Sequence, residues 1–276
     1  YIHTETGQYL ADHVGRCNRE DQCGHHYTPS EYFKDNPDHK AQTKIETVQQ
    51  STSNFDSVPL DLVQKSISYQ PQSRFHQYLI TRFGEEAASK QAARFHIGSS
   101  ASNPGGTIFW QIDINGTVRS GKIIQYDPLT GKRRGTIDWV HSKIQKKTNK
   151  PFRLRQCFFG EHQLSSNIGK TVALVESEKT AVICSICLPD YLWLATGGVN
   201  GCRWKEKNQA SVLLGRNVLL FPDLNMFGRW RQYAAEIRQQ LSLNIKVSDV
   251  IEQVATPEEK SQKAGYDLAD YLTKST

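Results

Sequence analysis

From residue 170 onward the chain alternates short, wholly apolar runs with longer stretches of helical period. "TVALVE" leads into "SEKTAVICSIC", "YLWLAT" into "GGVNG", "NVLLFPD" into "MFGRWRQYAAEIRQQL", and "IKVSDVI" into a last segment ending "GYDLADYL". Apolar runs this short and unbroken belong to strands covered on both faces, so the pattern predicts an α/β fold, a parallel sheet flanked by helices. Ligands of such sheets gather outside the carboxyl ends of the strands. Two of the predicted strands finish on a carboxylate, Glu176 and Asp223, and this fold would bring both to that edge.

Upstream the pattern differs. "SRFHQYLITRFGEEAASKQAARFHIG" sets Phe75, Tyr78, Leu79 and Phe83 at helical spacing, which predicts one or two helices ending near Gly98. "TIFWQIDI" and "VRSGKIIQYD" then alternate as strands around Asn115-Gly116, a strong hairpin signal, and "DPLTGKR" reads as another tight turn. Residues 60–169 therefore read as a small basic α+β subdomain and residues 170–276 as the α/β domain. Residues 34–59 are polar, nearly free of large apolar groups before Phe55, and read as a linker. Residues 1–33 hold two cysteines and four histidines in a stretch too short for a core of its own without a staple.

Length and charge sharpen this picture. A chain of 276 residues can bury a sizeable core, and its net charge of +6 matters through its distribution. From Arg119 to Arg155 there are eleven Lys and Arg against Asp127 and Asp138 alone. Such a stretch is either a solvated face or a surface for a polyanion. Arg119, Lys122, Lys132, Arg133 and Arg134 fall on the hairpin and its turn, with Lys146 and Lys147 following Trp139. Cations neutralise phosphates and aromatic rings stack bases, so the segment is expected to guide single-stranded DNA or RNA. Phe109, Trp110 and Tyr126 fit the strand core better than a stacking platform. No apolar run approaches the roughly 18 residues of a membrane span, and "YIHTETGQYL" has no signal-peptide pattern, so a cytoplasmic protein without a membrane partner is expected. Six unevenly spaced cysteines then read as thiols or metal ligands, and the Tyr start implies that residues preceding it have been removed.

An acid that closes a strand is explained, taken singly, as a helix cap. Two at one edge repel each other unless a hard cation lies between them, and carboxylates with waters and phosphates suit Mg2+ or Mn2+. "LVESEKTA", "LATGG" and "LLFPDLN", in that order, resemble a Toprim domain, the catalytic core of bacterial replicative primases, topoisomerases and some nucleases. The resemblance covers residues 170–272, and "GGTIFWQIDINGTVRSGKIIQYDPLTGKRR" is similar to the basic subdomain that feeds template to the acidic site of primases. The whole chain looks most like primase-like proteins of bacterial mobile elements. The resemblance implies that Glu176, Asp223 and Asn225 hold the metal, that Glu176 serves as general acid and base, and that Gly197 and Gly198 form the turn after the second strand. Lys179 would face a phosphate or pair with a neighbouring acid. Asn225 stands where the family carries a second aspartate and offers oxygen without charge. Asp267 and Asp270 supply that charge or are solvated acids of a C-terminal helix.

The activity so implied is nucleotidyl transfer on a single-stranded template, using nucleotides and a helicase or other replication partner. A Toprim-type nuclease, and a catalytically weak nucleic-acid-binding module, are the alternatives. Nothing in the chain looks like the tyrosine-bearing domain of a topoisomerase. "LSSNIGKT" comes within one glycine of a phosphate-binding loop, but its GKT leads into a strand where that motif opens a helix. "CSIC" lies in an apolar helical run and reads as buried thiols. "GRCNREDQCGHHYTP" clusters Cys17, Cys23 and His26, and the two cysteines resemble the second pair of a primase zinc ribbon. The expectation is a partial Zn2+ site whose first pair precedes Tyr1.

Overall fold

The computed structural model describes residues 10–16, 25–36, 55–198, 201–262 and 265–274. The chain divides into two units, Tyr1–Asn54 and Phe55–Thr276. In the first, β1 (Gly15–Arg16) pairs antiparallel with β2 (His26–Tyr27) and is followed by α1 (Pro29–Asp35). Thr28 opens that helix by reciprocal capping: its hydroxyl accepts from the Glu31 N–H, and the Glu31 carboxylate accepts from the Thr28 N–H. Tyr32 is buried edge-on against His13 and Tyr27. Cys17, Cys23 and most of the linker expected over residues 34–59 lie outside the described residues.

The second unit opens with α2 (Leu60–Ser68), α3 (Arg74–Phe83) and α4 (Glu85–Arg94). The helical run expected over residues 73–98 is thus two helices, broken at Gly84, whose φ of +85° suits a residue without Cβ. Strands β3 (Gly98–Ser99), β4 (Thr107–Ile112), β5 (Val118–Tyr126) and β6 (Arg133–Trp139) form an antiparallel sheet in that order. The β4–β5 hairpin turns where Asn115-Gly116 predicts, but the strand pattern "TIFWQIDI" stops two residues early. Asp113 is the reason, because its carboxylate accepts from the N–H groups of Asn115 and Thr117 and starts the turn.

Helix α5 (Val140–Thr148) packs Val140 and Ile144 against the antiparallel sheet, and the chain then runs on to the parallel part. There β7 (Val172–Val175), α6 (Glu178–Cys187), β8 (Leu192–Ala195), α7 (Lys207–Ala210), β9 (Asn217–Leu220), α8 (Phe227–Leu241) and β10 (Asn244–Val247) follow, then α9 (Val250–Val254), α10 (Pro257–Ser261) and α11 (Leu268–Lys274). The four strands run parallel in the order β10-β9-β7-β8. Every residue of β7 and β8 is buried, as continuous apolar runs require. Ala173 and Val175 face one core with α6, while Val172 and Leu174 face the other with Trp230 and Ala234 of α8.

The first of these cores joins the two sheets. Phe75, Phe95, Phe109 and Tyr126 from the antiparallel side pack in one cluster with Ala173, Val175 and Trp193. Phe159 adds a backbone bridge to Ala195 on the parallel sheet's edge strand. Alternation along β5 turns Ile124 and Tyr126 toward this shared core and Ile123 to the opposite face, with Ile108 and Trp110. Among the described residues, no helix is long and apolar enough to cross a membrane.

Candidate functional site

The carboxyl ends of β7, β8 and β9 open on a cleft of about 590 Å³. Glu176 follows β7 directly, Gly197 and Gly198 turn the chain after β8, and Asp223 lies three residues beyond β9. Glu178, Asp267 and Asp270 add three more carboxyl groups, and Lys122, Arg133 and Trp139 form the wall from the antiparallel sheet. The strand-end placement read from the sequence thus brings Glu176 and Asp223 to one cavity.

Five acids in one cleft need compensation, and its distribution is uneven. Lys122, buried on β5, donates to the Glu178 carboxylate at 2.9 Å and to the Gly197 carbonyl at 2.9 Å. Lys179 lies 3.9 Å from Asp267 and 3.7 Å from Asp270. Asp267 also accepts from the Thr180 hydroxyl and the Asp270 N–H, and Asp270 accepts from the Asp267 N–H, an arrangement that caps α11. Glu176 and Asp223 differ: among the described residues, no hydrogen bond from another group reaches either carboxylate.

The electrostatics follow from that. Burial, with Glu176, Asp267 and Asp270 nearby and Lys179 opposing, pushes the Asp223 carboxyl up to about 8. Burial also raises Glu176, with Lys122 opposing and Glu178 and Asp267 adding to it. For Lys179 burial acts to lower the ammonium, but Asp267 and Asp270 outweigh it and hold it above its ordinary value. Two unpartnered, mutually repelling carboxylates are a donor set that fits a hard divalent cation. Among the described residues, no group of three or more His, Cys, Asp or Glu is arranged to hold a metal. The fit is therefore to a cation held by two carboxylates and otherwise by waters and substrate oxygens, as Mg2+ is commonly bound.

Several expected residues lie elsewhere. Asn225 is turned out of the cleft: its φ of +68° is left-handed, its Nδ2 donates to the Lys260 carbonyl at 3.1 Å, and its N–H donates to Glu252 at 2.7 Å. The asparagine occupies a turn that its short amide tolerates. Lys179 pairs with Asp267 and Asp270 and also lines the cleft. Asp267 and Asp270 are both in the cleft: Asp267 is buried, while Asp270, in the first turn of α11, keeps its side chain 35% exposed. Arg119 is buried in an ion pair with Asp113 at 2.7 Å, and Arg134 pairs with Asp127. Lys132 is exposed, whereas Arg133 and Trp139 reach the cleft. Lys146 and Lys147 border a groove over Ile108, Trp110 and Ile123, on the other face of the antiparallel sheet.

Glu178 and its partner Lys122 are the residues that sequence reasoning missed as a pair. Glu178 is 1% exposed and its Oε1 has no hydrogen-bond partner. The "VESE" repeat of acids two apart was the available signal, but an acid in a helix's first turn ordinarily reads as a solvated favourable charge.

Solved structures similar to this chain include the following three. The DnaG primase catalytic domain bound to ssDNA has 15% identity and a TM-score of 0.43, with 63% of this chain and 62% of that chain covered. The primase fragment of the bacteriophage T7 primase-helicase protein has 18% identity and a TM-score of 0.36, with 62% of each chain covered. The Aquifex aeolicus primase, comprising zinc-binding and RNA polymerase domains, has 14% identity and a TM-score of 0.39, with 67% of this chain and 52% of that chain covered. The chain thus spans less than two thirds of each of these structures. No curated protein matches it. A zinc beta-ribbon finger family matches residues 1–38. Over residues 73–224, more than half its length, the chain matches and so belongs to the family described as Domain of unknown function (DUF6371).

Proposed function

We propose that this protein is a primase-like enzyme with a Toprim domain over residues 170–276, carrying out metal-dependent nucleotidyl transfer on a single-stranded template. The observation that carries the reading is the pair of unpartnered carboxylates, Glu176 and Asp223, at the carboxyl edge of a parallel sheet whose remaining acids are already neutralised or capped. These two would hold Mg2+ or Mn2+, which when bound stabilises the attacking and leaving oxygens of an in-line displacement. In this reading Glu176, whose carboxyl burial raises, would exchange a proton with the attacking hydroxyl. Lys122 orders the turn at Gly197, and Lys179 keeps Asp267 and Asp270 from adding further uncompensated charge. Residues 60–169 act as the template-guiding subdomain, with Lys132, Arg133 and Trp139 facing the strand.

Zn2+ in residues 1–33 would supply the staple that so small a unit needs, with Cys17, Cys23 and His26 as candidate ligands. A mobile-element origin and a helicase partner are carried over from the sequence resemblance, and a cytoplasmic setting from the lack of a membrane-span or signal-peptide pattern in the sequence. A second reading, a nucleic-acid-binding module of weak activity, is favoured by Asn225, whose amide is committed to Lys260. Incubation with single-stranded DNA, nucleotides and Mn2+ decides between them. Extension products that fall about 10²-fold or more in Glu176→Ala and Asp223→Ala are expected. Shortened DNA would point to the nuclease, and retention without products to the binding module.

A further inference from the structure

Beside the cleft, a second recess of about 360 Å³ shares Glu176 and Gly198 with it. Its floor is aromatic. The buried rings of Trp204 and Trp230 lie 5.1 Å apart at 40°, and Tyr233, half-buried, meets Trp204 edge-on at 5.8 Å. Its lining carries an excess of positive charge: Arg203 and Glu206 pair at 3.3 Å, the Lys205 ammonium lies 4.0 Å from the Tyr233 ring centroid, and Arg229 is exposed on α8 without a carboxylate partner among the described residues. The chemistry proposed above uses none of these groups.

The combination selects among ligand classes. An apolar tail or a peptide side chain would fill the floor and leave the cations without a counterpart. A free phosphate would meet the cations and leave the rings unused. A flat aromatic ring joined to an anionic chain satisfies both, and a recess of this volume falls within the range of small-molecule sites. We infer that this recess receives the base and sugar of a nucleoside triphosphate whose phosphate chain reaches Glu176 and Asp223. The assignment rests on the proposed role of those two carboxylates for its phosphate end, and on the recess alone for its base end.

Two probes separate the ends. The full chain is titrated with ATP and with inorganic tripolyphosphate, each with Mg2+, by calorimetry. Wild type is expected to bind ATP at least about fivefold more tightly than tripolyphosphate, the increment that ring stacking supplies. Tyr233→Ala should lose that preference while keeping its tripolyphosphate affinity, and Tyr233→Phe should retain it. Met226→Trp, which fills the recess from its rim, is the second variant should Tyr233→Ala fail to fold, and it should also lose the preference. Equal affinity for both probes in wild type, or a preference unchanged in the variants, overturns the assignment while tripolyphosphate binding that depends on Glu176 leaves the carboxylate reading standing. Failure of both probes to bind overturns the two together.

Discussion

Asp223 shows how a single side chain records the purpose of its surroundings. Burial and three neighbouring acids disfavour its charge and push its carboxyl up from 3.8 to about 8. An acid raised in this way binds its proton more tightly folded than unfolded. Its stabilising contribution is therefore complete below about pH 4 and is lost as the pH climbs to about 8. Metal-free protein should melt at lower temperature at about pH 8.5 than at about pH 5.5, and Asp223→Asn should flatten that decline. Mg2+, which competes with the proton, should raise the melting temperature more at the higher pH; equal shifts at both would place the cation elsewhere. Glu176 and Asp223 were legible because a carboxylate after an unbroken apolar run has one place to go, the strand's exit. Glu178 was not, since only Lys122, 56 positions earlier in the chain, makes its burial tolerable. Asn225 was misplaced because the left-handed turn that redirects it leaves no mark in a three-residue motif.

At the scale of elements, the described glycines after β8, Gly197, Gly198 and Gly201, sit in tightly constrained backbone. A Cβ added at Gly201 would sit 2.0 Å from the Thr196 carbonyl oxygen, and Gly197 and Gly198 both have positive φ. Gly116, in the β4–β5 hairpin, shares a positive φ but has nothing within 4 Å of an added Cβ. Gly201→Ala should therefore cost more than about 2 kcal/mol, with disturbed cation binding, and Gly116→Ala about 1 kcal/mol without it. Denaturant titration of the two variants with and without Mg2+ checks the contrast. The strands and helices of the parallel half were readable because buried strands and amphipathic helices differ in run length. The antiparallel half was readable as a hairpin but not in its facing: Lys122 and Arg119 look like surface cations in sequence and are buried ion pairs in space.

Across the whole molecule, positive charge divides between cations spent inside the fold and cations left on its surface. Single-stranded DNA should bind with an affinity that falls steeply with salt. Arg133→Ala should lower the slope of log affinity on log salt by about 0.7, as loss of one phosphate contact does for a single strand. Arg119→Ala should leave the slope unchanged and lower stability instead, because Asp113 would be left buried without its partner. Filter binding across a salt series, beside thermal melts, distinguishes the two.

The Lys122–Glu178 bond also bears on any attempt to take the protein apart. One end of it belongs to residues 60–169 and the other to residues 170–276, and Phe109, Phe159 and Trp193 share a core across the same line. A fragment cut between those halves would expose an unpaired charge and a torn hydrophobic surface at its severed face. The two halves are mutual scaffolds, so a shortened form that keeps α2 through α11 is expected to retain the fold where a cut between the halves would lose it.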